Sequence, residues 1–361
     1  MGTAMKLTPL YGEHKKLGVR FAPFGGWYMP ISYEGIIAEH SACRKSAAVF
    51  DICHMGEFLF TGDAAELDNA VTQNISGLAE GKSRYGFILN DSGGIEDDLI
   101  IFRKAENEFM IVVNAATLEN DYEILKKRLR KGDLSDISAE TAKIDLQGPL
   151  SRDVLKEALG LDIGLKYFNF GYFDILGEKA LISRTGYTGE LGYEIFINSE
   201  HAVELWNKLL GDVRVKPAGL GARDILRLEM GYSLYGHDID AQTSPDEAGL
   251  DMFVNYDKDF FGKSALRVRK GKGATKTKIA FQTEGRRSPR SHYRILSGGK
   301  DIGEVTSGVF SPVFSCGIGL GFVTPGFDKK GAVITISDGK NVELKGKITE
   351  IPFLKKTSLR N

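Results

Sequence analysis

The sequence predicts an α+β protein that ends in a separate, small all-β domain. Helical and strand patterns are mixed through the first 262 residues, where consecutive strand patterns with short connections suit antiparallel pairing. Beyond that point no helical period is evident, and short strands alternate with the glycine-rich turns SGGKD, TPGFDKKG and SDGKN. This alternation is typical of an antiparallel barrel. With 361 residues the chain has room for two or three domains of ~100–200 residues each.

Composition restricts the class of protein. The net charge of −1 gives no indication of a nucleic-acid partner. No apolar run approaches the ~20 residues that cross a membrane, and the N-terminal segment has no signal-peptide or transit-peptide pattern. Cys43, Cys53 and Cys316 are far apart, which argues against a disulfide framework or a cysteine zinc site. We therefore expect a cytoplasmic protein with no membrane or nucleic-acid partner.

The first elements are a helix over residues 34–47 and a second helix that begins at Asp63 and continues to Ile75. Asp63 and Glu66 have the spacing of a capping box. Three strand patterns follow, RYGFIL (84–89), GGIEDDLIIF (93–102) and EFMIVV (108–113), and the turns between them, NDSGG and KAEN, predict an antiparallel meander.

The middle strand, GGIEDDLIIF, carries two aspartates into an apolar run. Side chains alternate across a strand, so Asp98 shares a face with Ile100 and Phe102 while Asp97 lies on the other face. A carboxylate carried toward a core is costly unless it has a partner. On this stretch alone a strand end exposed to water is the favoured alternative, because aspartate is mostly an exposed residue.

The remaining elements of the first 262 residues are mostly helices. Leu118, Tyr122, Leu125 and Leu129 form one stripe of a helix that ends before Gly132. Further helices are expected at 149–159, 200–210 and 220–230, and YFDILGEKALISR (172–184) predicts a hairpin. The basic segment 263–278 is short of apolar residues and is interpreted as a solvated linker, with a docking stripe for an acidic partner as the alternative.

Two stretches are candidates for ligand binding. SRTGYTGELGYEIFI (183–197) spaces three glycines before a strand, which would let the backbone approach a flat ligand with Tyr187 and Glu194 beside it. A glycine-rich hairpin with a half-buried tyrosine is equally compatible with this pattern. AGLGARDILRLEM (218–230) places Arg223 and Arg227 one turn apart, where they could hold a substrate carboxylate or pair with nearby acids.

For these two arginines the pairing alternative is the favoured one, and the possible partners in the sequence are Asp97, Asp224 and Glu229. The six histidines show no spacing typical of metal ligands, and no metal site is expected. Neither a phosphate-binding loop nor a GxSxG nucleophile elbow is present.

Taken together, these motifs resemble the aminomethyltransferase (T-protein) family of the glycine cleavage system. The resemblance runs nearly end to end, and the motifs that carry it occur in the family's order: LTPLYGEHKKLG, GGWYMPISY, RKSAAVFDICHMGEF, GGIEDDLIIF, VNAAT, QGP, SRTGYTGELGYE, PAGLGARDILRLE, LYGHDID, FFGKSAL, TSGVFSP and a closing IPF.

The resemblance implies three domains around a central folate channel. The expected divisions are a discontinuous folate-binding domain (1–50 and 140–262), an α+β domain that carries the GGIEDDL strand (51–139) and a C-terminal antiparallel β-barrel (275–361).

The resemblance also implies the reaction. An aminomethyl group on the lipoyl arm of the carrier H-protein gives its methylene carbon to tetrahydrofolate, the co-substrate, and 5,10-methylenetetrahydrofolate and ammonia form without a metal. The second aspartate of the family's GGxxDDL motif, here Asp98, would lie near N5 of the folate as the catalytic group, and Asp97 would face away and need a structural partner. Other residues match substrate-binding or channel-lining positions: Tyr85, Asn114, Tyr187, Glu194, Arg223 and, more loosely, Tyr167.

Two positions depart from the family's usual pattern. Cys53 stands where the family commonly has a serine, and Leu354 stands where a ligand-contacting tyrosine is expected. Related folate domains occur in dimethylglycine- and sarcosine-oxidising enzymes, in a sulfonium demethylase, and in a non-transferase protein of iron–sulfur and tRNA maintenance. The oxidising enzymes usually carry a flavin domain, for which this chain has no dinucleotide fingerprint, and the KGCYxGQE signature of the maintenance protein is absent.

Overall fold

The structure of the chain is a computed structural model that describes residues 5–360. Within this range helices and strands are mixed as predicted. The α-helices are α1 (Tyr11–Lys16), α2 (Ile36–Lys45), α3 (Ala64–Ala70), α4 (Leu118–Arg128), α5 (Ser151–Leu159), α6 (Ala202–Leu210), α7 (Leu220–Glu229) and α8 (Lys263–Lys272).

The strands form one short ribbon, two open sheets and a barrel. They are β1 (Arg20–Phe24), β2 (Trp27–Ser32), β3 (Ala47–Asp51), β4 (Gly56–Thr61), β5 (Lys82–Leu89), β6 (Ile95–Ala105), β7 (Glu108–Val113), β8 (Asp133–Asp136), β9 (Thr141–Gln147), β10 (Phe170–Ile175), β11 (Glu178–Ser183), β12 (Gly192–Asn198), β13 (Val215–Pro217), β14 (Thr277–Thr283), β15 (Arg294–Ser297), β16 (Lys300–Ser311), β17 (Cys316–Val323), β18 (Val333–Ser337) and β19 (Glu343–Thr349).

The first open sheet has six strands in the order β10-β11-β12-β9-β3-β13. All neighbours are antiparallel except β3 and β13, which run parallel. Helices cover both faces of the sheet. Alternate residues of β3 therefore pack in different cores. Val49 packs in the core that contains Trp206 of α6, and Phe50 packs with Ala222 of α7 on the other side. This sheet therefore holds α7 and its arginines against one face.

The second open sheet has five strands in the order β5-β6-β7-β4-β8, and it contains the predicted meander. One face packs against α3 and α4, with Ile101 and Leu125 in the same apolar core. The other face packs against the first sheet, where the rings of Phe102 and Phe196 lie 5.5 Å apart between centroids. One face of β6 thus packs against α3 and α4, and the other packs against the first sheet.

The C-terminal strands close into a barrel in the order β14-β17-β16-β15-β18-β19, with β19 paired back to β14. All pairs are antiparallel, which confirms the predicted barrel. The two open sheets take their strands from segments that fit the predicted domain divisions, and we propose those divisions for this chain. No helix among residues 5–360 is long and apolar enough to cross a membrane.

Residues 263–278 are mostly exposed or half-buried, as expected of a solvated connection, but most of them form the helix α8, which the sequence pattern did not predict. One apolar side chain packs the helix into a core: Leu266 is fully buried and lies with Phe87 and Leu89. The helix backbone lies so close to Gly93 that a Cβ there would be 2.7 Å from the Leu266 nitrogen. One anchoring residue in ten leaves almost no periodic signal, so the sequence pattern missed the helix.

Helix α3 is shorter than predicted, and its capping box does not form. Asp63 caps the helix by accepting from the Ala65 N–H at 2.9 Å. Glu66, however, accepts from the Arg130 N–H at 2.8 Å and does not reach back to the cap. The helix ends at Ala70 because Val71 takes up an extended conformation, so Ile75 lies outside it.

Candidate functional site

The side chain of Asp98 is held by two hydrogen-bond donors. The Tyr85 hydroxyl donates to Asp98 Oδ2 at 2.8 Å, and the Asn114 Nδ2 group donates to Asp98 Oδ1 at 2.8 Å. Tyr85 lies on the neighbouring strand β5, and Asn114 follows β7, so the meander brings both to Asp98. Three of the residues expected at the site therefore form one directly bonded cluster.

Asp97 points to the opposite face of β6 and is completely buried. It accepts from the Asn114 backbone N–H at 3.1 Å, from Asn114 Nδ2 at 2.8 Å and from the Thr117 hydroxyl at 2.8 Å. A strand end exposed to water, the alternative that the strand pattern alone favoured, is wrong for Asp97. Asp98 is half-buried and bonded on both oxygens. The two carboxyl groups are thus partnered through one shared amide.

Burial, together with the charge of Asp97, raises the pKa of Asp98 to about 7, although the hydrogen bonds from Tyr85 and Asn114 oppose the shift. Within residues 5–360, neither Asp97 nor Asp98 has an ion pair with a lysine, arginine or histidine. Without a cation to hold it ionised, this carboxyl can take up and release a proton near neutral pH. That property suits a general base.

Tyr187 and Tyr232 form an aromatic platform beside this cluster. Their rings are stacked with centroids 5.7 Å apart, and the Tyr187 hydroxyl donates to the Ser233 carbonyl oxygen. Burial raises the pKa of Tyr187, and the nearby charge of Asp98 adds to the shift, so the two groups are electrostatic neighbours. Tyr167 is 39% exposed, and its hydroxyl lies within hydrogen-bonding reach of Tyr232.

Glu194 is a buried residue of β12 that already has two partners. Lys143 Nζ lies 3.3 Å from Glu194 Oε1, and the Thr185 hydroxyl donates to Glu194 Oε2. An ionised carboxylate has about four acceptor sites, so these two partners leave about two of them unused. Directly opposite Glu194 on β9 is Asp145, and burial raises the pKa of Asp145 to about 6.

Arg223 pairs with Asp145, at 2.6 Å from Nη1 to Oδ2. Asp145 is not one of the three partners expected from the sequence. It lies on β9, far from Arg223 in the chain, and comes near Arg223 only when the sheet forms. Its guanidinium carbon lies 5.1 Å from the centroid of the Tyr187 ring, which places the cation over the aromatic face. Arg223 therefore links the Glu194–Asp145 pair to the tyrosine platform.

Arg227, the second arginine of α7, is fully buried. It pairs with Asp224 at 2.9 Å, which was one of the expected partners, and with Asp238 at 2.5 Å. It also donates to the hydroxyl of Ser307 in the barrel at 2.8 Å. With its donors used internally, Arg227 connects α7 to the barrel and is not available to a substrate.

The glycines of the SRTGYTGELGYE stretch make room for protein side chains. A Cβ on Gly186 or Gly192 would lie 2.2 Å from the side chain of Gln147, and one on Gly189 would lie 2.4 Å from Met230. The space beside these glycines is therefore filled by the chain itself. Close approach of the backbone to a ligand, the reason first inferred for these glycines, does not account for them.

Several residues at the site carried no signal in the sequence reasoning. Tyr232, Asp145 and Lys143 contact the expected residues but lie outside the family's motifs, and only the folded sheets bring them in. Thr117 closes the VNAAT motif but was not among the expected site residues. A helical reading of the segment after Asn114 could have found Thr117, because it is three residues on, at the start of α4.

The two departures from the family pattern lie near the site. The Cys53 thiol is buried and contacts the carbonyl oxygen of Lys143 at 3.5 Å, and burial raises its pKa. The Leu354 backbone N–H donates to the Glu229 carbonyl oxygen at 3.0 Å, which ties the C-terminal segment to the end of α7. No group of three or more histidine, cysteine or acidic residues in the described part of the chain could hold a metal ion.

Comparison with known proteins identifies relatives of one family along nearly the whole chain. Residues 10–258 match the GCVT N-terminal domain, and residues 276–355 match the glycine cleavage T-protein C-terminal barrel domain. The aminomethyltransferase of Halothermothrix orenii is 42% identical over 358 residues, which is 97% of this chain and 100% of that protein. The aminomethyltransferase of Thermotoga neapolitana is 42% identical, over 94% of this chain and 95% of that protein.

A solved structure has the same fold. The crystal structure of the glycine cleavage system aminomethyltransferase T from Bartonella henselae superposes with a TM-score of 0.92 at 34% identity. The superposition covers 98% of this chain and 99% of the Bartonella chain, so the two open sheets and the barrel all have counterparts there.

Proposed function

Because the chain belongs to the glycine cleavage T-protein family and is an aminomethyltransferase of that system, we propose that it moves the methylene carbon of an aminomethyl group from the lipoyl arm of the H-protein to tetrahydrofolate. In this reaction the carbon–sulfur and carbon–nitrogen bonds of the aminomethyl group break. The carbon bonds to both N5 and N10 of the folate, and the two hydrogens of these nitrogens pass to ammonia and the dithiol. No net oxidation occurs, so the site needs no redox partner.

The observation that carries the proposal is the setting of Asp98. Its carboxyl group is half-buried, is oriented by Tyr85 and Asn114, and has a pKa of about 7. In its ionised form it can orient the N5–H of a bound folate and take the proton as N5 becomes cationic. It also stabilises the positive charge at that nitrogen before the proton moves.

The remaining residues are suited to hold a flat, hydrogen-bonding heterocycle. Tyr187 lies near Asp98, and Tyr232 and Tyr167 extend the aromatic surface from it toward Glu194. Glu194 has acceptor sites left for the N–H groups of a pterin edge, and we assign it that role. Aromatic surface with a few placed polar groups suits the binding of such a ring.

We assign Arg223 a supporting role. Its ion pair with Asp145 and its position over the Tyr187 ring hold the platform beside Glu194. The ion pair occupies Nη1, and the guanidinium retains further N–H donors. Arg223 is therefore proposed to position Tyr187 and Asp145, with any contact to the folate made through those remaining donors.

The test of this function is a transfer assay with defined partners. Purified protein is mixed with tetrahydrofolate and an H-protein whose lipoyl arm carries the aminomethyl group, and methylenetetrahydrofolate and ammonia are measured. Both products are expected in equal amounts, and neither is expected with the unloaded carrier. Without the carrier, formation of 5-methyltetrahydrofolate from a methyl sulfonium, or of methylenetetrahydrofolate from dimethylglycine or sarcosine with an added electron acceptor, would instead indicate a demethylase of the same superfamily.

A further inference from the structure

A third buried carboxyl group, that of Asp121, lies beside Asp97. Asp121 is on the first turns of α4, is completely buried, and has no protein hydrogen bond to either of its oxygens in the described part of the chain. Asp97, its neighbour, accepts three hydrogen bonds, and Asp98 accepts two. Hydrogen-bond donors are therefore distributed unevenly among three adjacent carboxyl groups, and Asp121 is the one that receives none.

The Thr117 hydroxyl is close to both Asp97 and Asp121. A hydroxyl has a single hydrogen to donate. Here the geometry directs that hydrogen to Asp97 Oδ2, at 2.8 Å. Thr117 therefore leaves Asp121 without a donor among residues 5–360, and the Asp97 carboxylate is a neighbour that a protonated Asp121 can donate to.

The charged surroundings do not favour three negative charges. None of Asp97, Asp98 and Asp121 has an ion pair with a basic side chain in residues 5–360. The other titratable groups beside this cluster are phenolic, namely Tyr85 on β5, Tyr187 before β12 and Tyr235 after α7, and the acids Glu96 and Asp240 lie near Tyr235. Adjacent carboxylates without a cation do not all ionise, so one of the three retains a proton.

The proton goes to the carboxyl group whose ionised form has the fewest donors, which is Asp121. Burial and then the charge of Asp97 raise the pKa of Asp121 far above the usual range of an aspartate. With one hydrogen bond from Asp121, Asp97 would accept four, because it already accepts two from Asn114 and one from Thr117. Four is about the capacity of an ionised carboxylate.

We propose that Asp121 is the neutral acid of this cluster and donates a hydrogen bond to Asp97, and that it thereby keeps the Asn114 amide turned with its NH₂ group toward Asp98. The second half of this inference rests on the proposed role of Asp98. Asp121 does not reach the substrate site, so it is a positioning residue that acts through Asp97 and Asn114.

The position of the proton decides the orientation of Asn114. With Asp97 ionised, both neighbours of the amide are acceptors, and the NH₂ group bridges them with one hydrogen to each. If Asp97 held the proton, it would donate to the amide oxygen of Asn114. The oxygen would then lie on the side of the carboxylates, and Asp98 would lose one of its two donors. A proton on Asp121 prevents this arrangement.

Infrared difference spectroscopy tests the protonation state without any substrate. Wild-type protein and the Asp121→Asn variant are compared in heavy water at mildly alkaline pH, where Asp98 is ionised, and the difference spectrum cancels the bands of carboxyl groups common to both, such as Glu57. We expect a protonated carboxyl C=O band in the wild type that the variant lacks. A wild-type spectrum without this band, or the same band in the Asp121→Asn variant, overturns the assignment.

Transfer kinetics test the positioning role. Asparagine keeps a neutral side chain with an N–H donor, whereas leucine removes the donor at similar size. We expect Asp121→Leu to lower kcat by about tenfold or more, because Asp98 is then displaced from its reacting position. Asp121→Asn should restore the rate and leave the acid limb of the pH–rate profile at the wild-type pH. An ionised Asp121 would instead give an acid limb at lower pH in Asp121→Asn, since one negative charge beside Asp98 would be lost.

Equal activity of the leucine and asparagine variants would overturn the positioning role. If Asp121→Leu does not fold, the comparison of Asp121→Asn with wild type still decides the protonation state through the infrared band and the position of the acid limb. If the wild-type protein itself makes no methylenetetrahydrofolate, the proposed function fails, while the infrared result is unaffected.

Discussion

Asp97 and Asp98 point to opposite faces of β6, yet one amide joins their carboxyl groups. Asn114 Nδ2 lies 2.8 Å from Asp97 Oδ1 and 2.8 Å from Asp98 Oδ1. Asn114 directly follows the neighbouring strand β7. At this strand end its side-chain amide lies within hydrogen-bonding distance of carboxyl groups from both faces of β6. The buried carboxylate and the proposed catalytic carboxylate are thus one unit, and changes at either have distinct, measurable consequences.

Asp98→Asn should abolish most of the transfer activity and leave folate binding nearly intact. The change removes the base and the negative charge that matter when N5 becomes cationic, and loss of a general base typically costs ~10²–10⁴-fold in rate. Most of this loss falls on the transition state, so kcat should fall much more than affinity. Single-turnover transfer from loaded carrier and calorimetric folate binding measure the two effects separately.

The matched control is Asp97→Asn on the same strand. Its new amide would place a donor against the donors of Asn114 and Thr117, so we expect a loss of stability of roughly 1–3 kcal/mol and a smaller effect on turnover. An inactive Asp97→Asn enzyme beside an active Asp98→Asn enzyme would reverse the roles assigned here. Normal turnover in both would exclude a catalytic carboxylate on this strand.

Transfer should rise with pH through about 7, because only ionised Asp98 can accept a proton and burial has raised its pKa to about 7. The Tyr85 hydroxyl donates to the ionised form and lowers this pKa, so Tyr85→Phe should raise it and move the acid limb of the profile to higher pH. A hydrogen bond to a charged group, ~1.5–3 kcal/mol, corresponds to a shift of about one pH unit or more.

The pH dependence of single-turnover transfer checks this shift. Tyr122→Phe is a suitable control, because the Tyr122 hydroxyl donates to the backbone oxygen of Leu134, away from the carboxyl cluster. Its profile should coincide with that of the wild type. An acid limb that stays in place in Tyr85→Phe would mean that a group other than Asp98 titrates in the profile.

Glu194→Gln should weaken tetrahydrofolate binding by roughly tenfold to a hundredfold. The change turns one acceptor oxygen into a donor and removes the charge that would pair with the pterin edge, and hydrogen bonds to charged groups are worth ~1.5–3 kcal/mol. Lys143 also loses its ion-pair partner, so a lower melting temperature is expected with it. Calorimetry measures the affinity, and Glu200→Gln, an exposed position just after β12, is the control. Unchanged affinity would remove Glu194 from the folate site.

Leu266→Ala should destabilise the protein by about 2–5 kcal/mol, as expected for a large apolar side chain removed from a packed core. The control is Val268→Ala, two residues along α8, where the side chain is 57% exposed and little change is expected. Urea denaturation followed by circular dichroism compares the two. If both variants unfold at the wild-type midpoint, α8 is not anchored through Leu266.

The helix α8 also shows where sequence patterns stop being informative. The meander, the hairpin β10–β11 and the barrel were predictable because their strands repeat a pattern over many residues. In α8 one buried leucine among basic residues holds the element, and its partners Phe87 and Leu89 come from a distant strand. A local sequence pattern cannot indicate a contact with residues that are far away in the chain.

The sequence alone determined the fold class, the family and the residues worth testing. Alternation along GGIEDDLIIF placed Asp97 and Asp98 on opposite faces, and the family's motifs singled out Asp98, Tyr85 and Asn114. These inferences rest on local periodicity and on motif order, both of which are written in the chain.

Only the tertiary structure decided which groups surround those residues and in which state they titrate. It paired Arg223 with Asp145, placed Tyr232 against Tyr187 and buried Asp121 beside Asp97. Each of these pairs joins residues from different elements, and burial and neighbouring charge set the pKa of a carboxyl group. Neither quantity exists until the sheets and helices pack.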